Sequence, residues 1–542
     1  MRGWISERRW VAVSACLLVA AMVVFLLPTS RAFAASVLNR LRGEPSLAEY
    51  DVVVYGGSFS GYSAVRSIQK ENPSARVLVI VPQRQLGEIG TVAAMNFWDL
   101  RGYDRGWIGG SFKELFEKFD RAYDPDEMSS FMAEQLAFDP NIEVHYGVDL
   151  RSAKVVEGEV KEIEFQGLNQ LPDGREVFDP NDPPSRVEAR VFIDASYNGR
   201  LLRLAGFQGV VGREAYAEKR QQAVTLLFEI EGLDYWKAVA SKDFLSNVDK
   251  DGSRMLWGGD PGKHPKTWAF NSSLREKGRL KPLNLAEGVR DRYWVNVLLM
   301  YGVDATKEDK DKGTPLYPEN EFMSVDEGYQ AARRIVESDE FLEAIRDFPG
   351  FAEVHITRCA PMLYIRESVH SCLYPKPGQF GFAITGDHVG RAGAQGDEGA
   401  DGDLQANRVG LQFYFLDTQG YVDVDPFEKE MEDESKLPTQ NPCYLPYSAL
   451  TTPNLKNVLV CGYGINASSV AWYALRVLPN QMVAGDAAGA AAIEAIESQK
   501  NPGGFGAQDI EAVQTRLRRL GAVLDKKVIP YRLPFDRVIL VP

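Results

Sequence analysis

Hydrophobic residues occur along the chain in short runs separated by polar turns, which is the pattern of alternating strands and helices. An apolar run that ends at Tyr55 predicts a buried strand, and the glycine-rich turn 56–61 leads from it into a helix-compatible segment, 62–70. A second apolar run, 76–80, predicts the next strand. This order of strand, glycine-rich turn, helix and strand is the unit that holds a dinucleotide pyrophosphate at a helix N-terminus.

Further elements follow from the spacing of apolar positions. Intervals of three and four residues predict helices at 111–137 and 326–347, and a stretch rich in alanine and glycine predicts a closely packed helix at 482–496. Short apolar runs predict additional strands at 143–146, 153–156, 159–165, 190–193, 223–230 and 457–462. The mixture of strands and helices predicts an α/β fold.

The glycine-rich turn departs from the usual dinucleotide pattern at two places. Its first and last glycines allow the tight turn and the close helix packing, but Ser58 replaces the middle glycine. The acid that usually grips the ribose is expected at Val81, where the sequence has none. Either Gln83 or Gln85 makes this contact, or the dinucleotide is bound less tightly. A structural turn that binds nothing is the alternative.

The N-terminus has the pattern of an export segment. Three arginines precede a continuous apolar run, 10–27, which Pro28 ends, and Ala32 and Ala34 then supply small residues at the two positions that a signal peptidase reads. This pattern predicts a signal peptide, residues 1–34, that is cleaved before Ala35. The alternative is an uncleaved membrane anchor formed by residues 10–27. In both cases the rest of the chain is expected on the exported side, whether periplasmic, extracellular or lumenal.

Composition and charge narrow the class of protein. The chain has 542 residues, 45% of them hydrophobic, so it is long enough for two or more domains with substantial cores. Its formal net charge of −14 argues against nucleic acid as a partner, because phosphate binding requires a basic surface.

Cysteine and histidine residues provide no frame for a metal site. The five cysteines include no Cys-x-x-Cys pair, and the five histidines are scattered without metal-ligand spacing. We therefore expect no metal. In an oxidising compartment Cys359 and Cys372 either form a disulfide or remain ordinary buried thiols.

Several motifs in the right order resemble one family. The segments that carry the resemblance are the phosphate turn and five others, at 56–61, 86–91, 192–196, 222–228, 360–367 and 457–492. Together they resemble the FAD-dependent oxidoreductases of the glutathione-reductase-like superfamily, in the branch related to the flavin subunit of heterodisulfide reductases. That family's Asp-x-His is replaced here by Asp417-Thr418-Gln419, and its cluster-binding cysteines are absent.

The resemblance implies a Rossmann-like FAD-binding domain with an inserted α+β substrate or cap domain. The FAD-binding domain is expected to be discontinuous, formed by residues 48–205 and 450–505. Residues 206–449 would form the inserted domain, and residues 506–542 a C-terminal helical tail.

The resemblance also assigns candidate site residues. Those expected to contact FAD are Gly56, Gly57, Ser58, Phe59, Ser60, Gly61, Gln83, Gly90, Thr91, Asp194, Ala195, Ser196, Gly462, Asn466 and Ser468. Arg366 and Arg476 are candidates for electrostatic stabilisation or substrate anchoring, and Tyr473 and Asp417 are candidates for proton handling.

The resulting hypothesis is an exported FAD-dependent oxidoreductase that oxidises a small molecule by hydride transfer to flavin. A non-catalytic protein that retains the scaffold, or an NAD-binding protein, is the alternative. An amine, a hydroxy compound or a sugar derivative is each compatible as substrate, and the electron acceptor is open. Contact with a membrane is expected only through the N-terminal segment, if that segment is retained.

Overall fold

Two large β-sheets, two small two-stranded sheets and flanking helices form the described part of the fold. The computed structural model describes residues 47–526 apart from 99, 101–108, 173, 208, 214–218, 371–383, 392–403, 415 and 423–442. The export segment predicted at residues 1–34 lies outside this part of the chain, as does Cys372. Cys359, Cys443 and Cys461 are free thiols.

The strands range from two to twelve residues, and several follow one another without a helix between them. In chain order they are Leu47–Tyr55 (β1), Val77–Val81 (β2), Ile142–Tyr146 (β3), Val148–Val156 (β4), Glu159–Gln170 (β5), Glu176–Phe178 (β6), Ser185–Asp194 (β7), Val210–Val211 (β8), Phe228–Glu231 (β9), Phe244–Val248 (β10), Arg254–Gly258 (β11), Gly278–Glu287 (β12), Tyr293–Met300 (β13), His355–Cys359 (β14), Val369–His370 (β15), Arg408–Gln412 (β16), Cys443–Pro446 (β17), Thr451–Thr452 (β18) and Leu455–Val460 (β19).

The α-helices range from single turns to one long helix near the end of the described chain. They are Phe59–Glu71 (α1), Gly110–Phe119 (α2), Pro125–Ala137 (α3), Arg200–Leu204 (α4), Tyr235–Ala240 (α5), Pro265–Leu274 (α6), Val325–Val336 (α7), Asp339–Arg346 (α8), Gly386–Arg391 (α9), Ser469–Leu475 (α10), Leu478–Ser498 (α11) and Ala507–Arg519 (α12). Among the described helices, none is both long and apolar enough to cross a membrane.

The first sheet has a parallel core. Its strand order is β18-β19-β7-β1-β2-β3, in which β19, β7, β1, β2 and β3 run parallel. The chain passes from β1 outward to β3 on one side and returns through β7 and β19 on the other, so β1 and β7 flank a topological switch point. Ligands bind outside the carboxyl ends of strands at such a point. The predicted α/β fold with a Rossmann-like domain is confirmed.

The parallel strands are continuous apolar runs because both of their faces are covered. All five residues of β2 are buried, and residues 52–55 of β1 are almost completely inaccessible. Helix α11 covers this sheet together with α1. A Cβ on Gly485 would lie 2.2 Å from the carbonyl oxygen of Ser60, and one on Gly489 would lie 2.3 Å from that of Ala64. The small residues of α11 therefore let the two helix backbones approach closely.

The second sheet is antiparallel and comes from the middle of the sequence. Its order is β10-β11-β12-β13-β9-β14, and its central strand β13 is buried at all eight positions. Strands β4 to β6 extend the first sheet in antiparallel fashion through the pairing of β5 with β7. The first sheet thus combines sequence-distant strands, because β19 returns to it after the second sheet is complete.

Two of the helices predicted from apolar spacing are wrong in length. The segment predicted at 111–137 is two helices, α2 and α3, because Asp120 has φ +55° and Asp124 starts a new helix by accepting the amides of two following residues. The segment predicted at 326–347 is also two helices, since Ser338 caps the second one. Capping residues end the first helix in each case although the apolar spacing continues.

Candidate active site

The carboxyl ends of three neighbouring parallel strands meet at one point. Ala195, just after β7, donates its amide to the carbonyl of Tyr55 in β1 at 2.7 Å. A Cβ on Gly56 would lie 2.7 Å from the carbonyl carbon of Ala195, and one on Gly462 would lie 2.3 Å from the carbonyl oxygen of Ser196. Glycine at 56 and 462 is therefore required for the three turns to pack backbone against backbone.

The turn after β1 presents the N-terminus of helix α1. Gly61 packs against the turn, because a Cβ there would lie 2.2 Å from the carbonyl oxygen of Gly56. The side chain of Ser58 caps the helix by accepting the amide of Gly61 at 3.1 Å, and the hydroxyl of Ser60 lies 2.9 Å from that of Ser58. The amides of Phe59 and Ser60 precede the first intrahelical bond and point out of the helix end. Such amides form an anion site.

The segment after β2 closes over this turn. Gly57 accepts the amide of Gly87 at 2.6 Å. A Cβ on Gly90 would lie 2.1 Å from the ring of Phe59, so glycine at 90 makes room for that aromatic side chain. The hydroxyl of Thr91 donates to a backbone carbonyl at 2.5 Å. Gly90, Thr91 and Phe59 thus fix the segment after β2 against the turn 56–61. The region bounded by this segment, the turn 56–61 and the turns at 195–196 and 462 is called the groove below.

Asp194 organises the turn after β7. One of its carboxylate oxygens accepts both the amide of Ser196 at 3.0 Å and its hydroxyl at 2.6 Å, and the other accepts the amide of Leu202 at 3.2 Å. Burial raises the pKa of Asp194 above its ordinary value, although these hydrogen bonds oppose the shift. The described contacts of Asp194 and Ser196 are structural, and they leave Ala195 at the floor of the groove.

The position expected to carry a ribose-binding acid is the buried end of β2. Val81 packs there, with a Cγ atom at 2.5 Å from where a Cβ on Gly57 would lie. Gln83 follows, with its carbonyl oxygen accepting the amide of Gly147 at 3.0 Å. Its side-chain Oε1 is buried and has no hydrogen-bond partner within the described part of the chain. Gln83 therefore has a free acceptor, and its contact with a ribose hydroxyl stays a prediction.

Glu88 is a buried carboxylic acid in the same groove, and sequence analysis did not single it out. It is 2% exposed and has φ +40°, a backbone region that favours glycine. Burial, together with the nearby charges of Asp194, Glu308 and Asp149, raises the pKa of Glu88 to about 8. The signal was available: Glu88 stands where the Leu-Gly-Gly pattern of the resembled family has its second glycine.

A second group of candidate residues lies between β19 and α11. Ser468 caps α10 by accepting the amide of Ala471 at 3.2 Å. Asn466 is fully buried, and neither its side-chain Nδ2 nor its Oδ1 has a hydrogen-bond partner among the described residues. A buried amide with both ends unsatisfied is costly, so Asn466 is the clearest indication of a polar ligand here.

The structure brings three of the four catalytic candidates into one row. The guanidinium of Arg366 stacks on the ring of Tyr364 at 4.2 Å, and the hydroxyl of Tyr364 accepts from NH1 of Arg476 at 2.7 Å. Arg476 in turn donates to a carboxylate oxygen of Asp417 at 2.7 Å. Asp417 Oδ1 accepts from Gln419 at 2.6 Å, so both carboxylate oxygens are hydrogen-bonded.

The fourth candidate, Tyr473, belongs to a neighbouring polar cluster. Its hydroxyl lies 2.8 Å from that of Tyr421, which lies 3.0 Å from the hydroxyl of Ser469. Ser469 donates to Glu367, a buried carboxylate that also accepts the amide of Gln222 at 2.9 Å. Burial raises the pKa of Tyr473 well above its ordinary value, so the phenol keeps its proton near neutral pH.

Sequence analysis also missed two side chains that contact the arginines. Asn296 accepts from NH2 of Arg366 at 3.3 Å, and Tyr364 lies between Arg366 and Arg476. A signal existed for Asn296, because it is the single polar side chain inside the apolar strand β13 that is not aromatic. Tyr364 had no local signal for its contact with Arg476, which lies 112 residues away in the sequence.

The groove fits the dinucleotide part of FAD. The amides at the start of α1 suit a pyrophosphate, Gln83 suits a ribose, and the unsatisfied amide of Asn466 suits the polar edge of a flavin ring. Gly56, Gly57 and Gly462 have no side chain at the base of the groove, so a ligand can contact the backbone there.

Comparison with known families agrees with this interpretation. The chain matches the family model described as FAD dependent oxidoreductase over residues 51–517, most of its length. The chain belongs to this family. It is accordingly an FAD-dependent oxidoreductase, an enzyme with FAD as its cofactor.

Solved structures of flavin enzymes resemble the chain at low sequence identity. The myxobacterial chondrochloren halogenase CndH, a variant of the FAD-dependent halogenases, is 11% identical over 87% of this chain and 79% of its own, with a TM-score of 0.37. E. coli quinol fumarate reductase FrdA is 13% identical over 87% of this chain and 75% of its own, with a TM-score of 0.30. The p-nitrophenol 4-monooxygenase PnpA from Pseudomonas putida is 12% identical over 60% of this chain and 69% of its own, with a TM-score of 0.31.

The family assignment rests on the family model, because the TM-scores of these three structures are all below 0.5. A search of proteins with curated descriptions finds no match.

Proposed function

We propose that this FAD-dependent oxidoreductase oxidises a small molecule by removing a hydride from carbon. The observation that carries the proposal is a set of buried polar atoms without partners: the side-chain amide of Asn466 and the Nε atoms of Arg366 and Arg476, among the described residues. Unsatisfied buried groups cost free energy unless a ligand binds them. Their location beside α10 and α11 supports a reaction site in this region.

When bound, FAD would supply the acceptor for a hydride from a substrate carbon whose adjacent oxygen or nitrogen loses a proton. The protein favours this transfer by placing positive charge nearby. Arg476 is fully buried, and helix α11, with 21 residues, begins two positions after it. A cation and a helix N-terminus both stabilise developing negative charge in a site that excludes water.

The proposed roles of the remaining candidates follow from their hydrogen bonds. Asp417 positions Arg476, since the Arg476 guanidinium and Gln419 engage its two carboxylate oxygens. Tyr473 holds its proton and orders the cluster around Ser469. The residues that bind and orient substrate would come from the inserted domain, 206–449, through strand β13 and the segments at 222–225 and 364–366.

The first test is the cofactor and its reduction. Purified protein is expected to be yellow, with a flavin spectrum that bleaches on anaerobic addition of dithionite. Screening amines, hydroxy compounds and sugar derivatives for anaerobic bleaching then identifies the substrate class. A protein that holds FAD but is bleached by no carbon–hydrogen donor, while dithionite reduces it, would contradict the hydride proposal. A second screen with dyes and oxygen identifies the electron acceptor.

We also propose that the enzyme is exported, because of the arginines and the apolar run at residues 10–27. Mass spectrometry of the native protein distinguishes cleavage before Ala35 from a retained anchor. Recovery of the full-length chain in the soluble cytoplasmic fraction would contradict export.

A further inference from the structure

We propose that Arg366 binds an anionic group of the substrate, a carboxylate, through the Nε–NH2 edge of its guanidinium. This deepens the proposed function and rests on it, because it assigns a chemical class to the molecule that the enzyme oxidises. Asn296 and Thr225 become binding-site residues that hold Arg366 in place.

The guanidinium of Arg366 has N–H donors on NH1, NH2 and Nε. Its NH1 donates to the carbonyl oxygen of Ala223 at 2.7 Å and to the hydroxyl of Thr225 at 2.9 Å. Its NH2 donates to the side-chain oxygen of Asn296 at 3.3 Å. The Nε–H is buried and has no partner among the described residues. The NH1 side is therefore filled, whereas the Nε–NH2 edge keeps free donors in the arrangement that takes a carboxylate side-on.

Arg366 carries a buried positive charge. Arg366 is 1% exposed, and within the described ranges no carboxylate forms an ion pair with it. Arg476, its neighbour across Tyr364, has a carboxylate partner in Asp417. The row thus contains two buried guanidinium groups and one carboxylate, leaving an excess positive charge. A buried charge without a counterion is strongly unfavourable, so the pocket favours binding of an anion.

Contacts of the segment around Arg366 fix its position in the fold. The backbone carbonyl of Arg366 accepts from Trp472 in α10 at 2.7 Å, and that of Ile365 accepts from Tyr463 at 2.6 Å. Its side chain extends to β13, where Asn296 also contacts the sulfur of Met95 at 3.6 Å. Arg366 therefore lies between the groove of the parallel sheet and the antiparallel sheet, where a substrate would lie against the flavin.

The same excess charge has a second possible source of compensation, the negative charge of the reduced flavin. The two sources differ in when they act: a substrate carboxylate binds the oxidised enzyme, whereas the flavin charge exists only after reduction. Equilibrium binding to the oxidised holoenzyme therefore separates them, and it requires no turnover.

The probes are acetate, succinate and benzoate, with acetamide, succinamide and benzamide as neutral controls, each titrated into oxidised holoenzyme by calorimetry and by the flavin spectrum. At least one carboxylate is expected to bind, and its amide to bind roughly 30-fold more weakly or worse, since an unpaired buried charge is costly. Arg366→Lys is expected to lose a similar factor, because a lysine cannot reproduce the bidentate fork. Arg333→Gln, on the exposed face of α7, is the control and leaves the affinity unchanged.

The substitution Asn296→Asp tests carboxylate binding at Arg366 most directly. It places a carboxylate 3.3 Å from NH2 of Arg366 with almost no change in shape. Carboxylate binding is expected to fall by roughly 30-fold or more while the melting temperature is maintained, because the new side chain acts as the counterion. Undiminished carboxylate binding in the folded Asn296→Asp enzyme would overturn the proposal.

Two other results would also overturn it: no carboxylate binding preferred over the amides in the wild-type holoenzyme, or a drop in the flavin midpoint potential of Arg366→Lys without any effect on carboxylate affinity. The second result would assign the charge to the reduced flavin. Failure of the hydride proposal looks different, since dithionite would then reduce the flavin and carboxylates would still bind.

Discussion

The hydroxyl of Ser58 donates a 2.7 Å hydrogen bond to the carbonyl oxygen of Ala195, joining the turn after β1 to the turn after β7. The hydroxyl oxygen of Ser58 also accepts the amide of Gly61 and so caps α1. Serine at the usual position of the middle glycine therefore stabilises the turn, and its hydroxyl engages the amide of Gly61, which leaves the amides of Phe59 and Ser60 at the helix start. The departure from the dinucleotide pattern is compatible with cofactor binding.

Ser58→Ala is expected to destabilise the holoenzyme by about 1–2 kcal/mol, through loss of the helix cap and of the bond to Ala195. The free energy of unfolding, measured by denaturant titration at fixed FAD concentration, checks this. Ser152→Ala, at an exposed position of β4, is the matched control and should change stability little. Equal stability of the two variants would show that the Ser58 contacts contribute nothing.

The elements that the sequence predicted well are those with a local pattern. The strand before Gly56 and the strand at 457–462 were recognisable because a strand buried on both faces is a continuous apolar run. The two helix breaks were missed because apolar spacing continues across them, whereas the start of each second helix is encoded by an N-capping residue, Asp124 or Ser338.

The candidate site was predictable only in part, for a physical reason. Arg366 and Arg476 were found through resemblance, but the side chain of Asn296 that contacts Arg366 comes from a strand 70 residues earlier. Glu88 gains its unusual environment from Asp149 and Glu308, which lie far from it in the sequence. No local pattern encodes such contacts, because folding alone brings these segments together.

Glu88 makes stability depend on pH in a specific direction. Its carboxyl has a pKa of about 8 in the folded protein against 4.5 as the ordinary value, so between these pH values the folded state binds more protons than the unfolded state. Stability contributed by this group is therefore lost as pH rises from about 4.5 to 8. Deprotonation above that range leaves a buried carboxylate without compensation.

Glu88→Gln is expected to remove this dependence. Relative to wild type, its free energy of unfolding should rise with pH across 4.5 to 8 by an amount on the order of 4 kcal/mol, with little difference below pH 4.5. Denaturant titrations at several pH values measure the difference directly. Glu49→Gln, an exposed carboxylate in β1, should give a flat difference. A flat difference for Glu88→Gln as well would contradict the raised pKa.

The close contact of α1 and α11 gives a prediction about glycine. Gly485→Ala and Gly489→Ala each place a methyl group about 2.2–2.3 Å from a backbone oxygen of α1, so the helices must separate. We expect a loss of about 1–3 kcal/mol for each, with a lower FAD content because the N-terminus of α1 moves. Gly504→Ala has open space around the new methyl and should leave melting temperature and FAD content unchanged. Wild-type FAD content in both helix variants would argue against the coupling.

A buried ion cluster fixes the segment 304–311 against the first sheet. Arg200 binds both carboxylate oxygens of Asp311 and lies 3.3 Å from Asp149, while Lys310 lies 2.9 Å from Glu308. Arg200 is 1% exposed, so its charge is compensated by these carboxylates alone. Burial opposes the ionised form of Glu308, but Lys310 and Arg200 outweigh it and hold the pKa of that carboxyl below its ordinary value.

Arg200→Met is expected to cost about 3–5 kcal/mol, because removing one member of a buried ion cluster leaves the acids without compensation. Arg186→Met is the control, since Arg186 is a half-exposed residue of β7 whose surface pair with Glu164 is worth only about 0–1 kcal/mol. Denaturant titrations of both variants at pH 7 test this, and a similar small loss for the two arginines would show that burial adds nothing to the pairing.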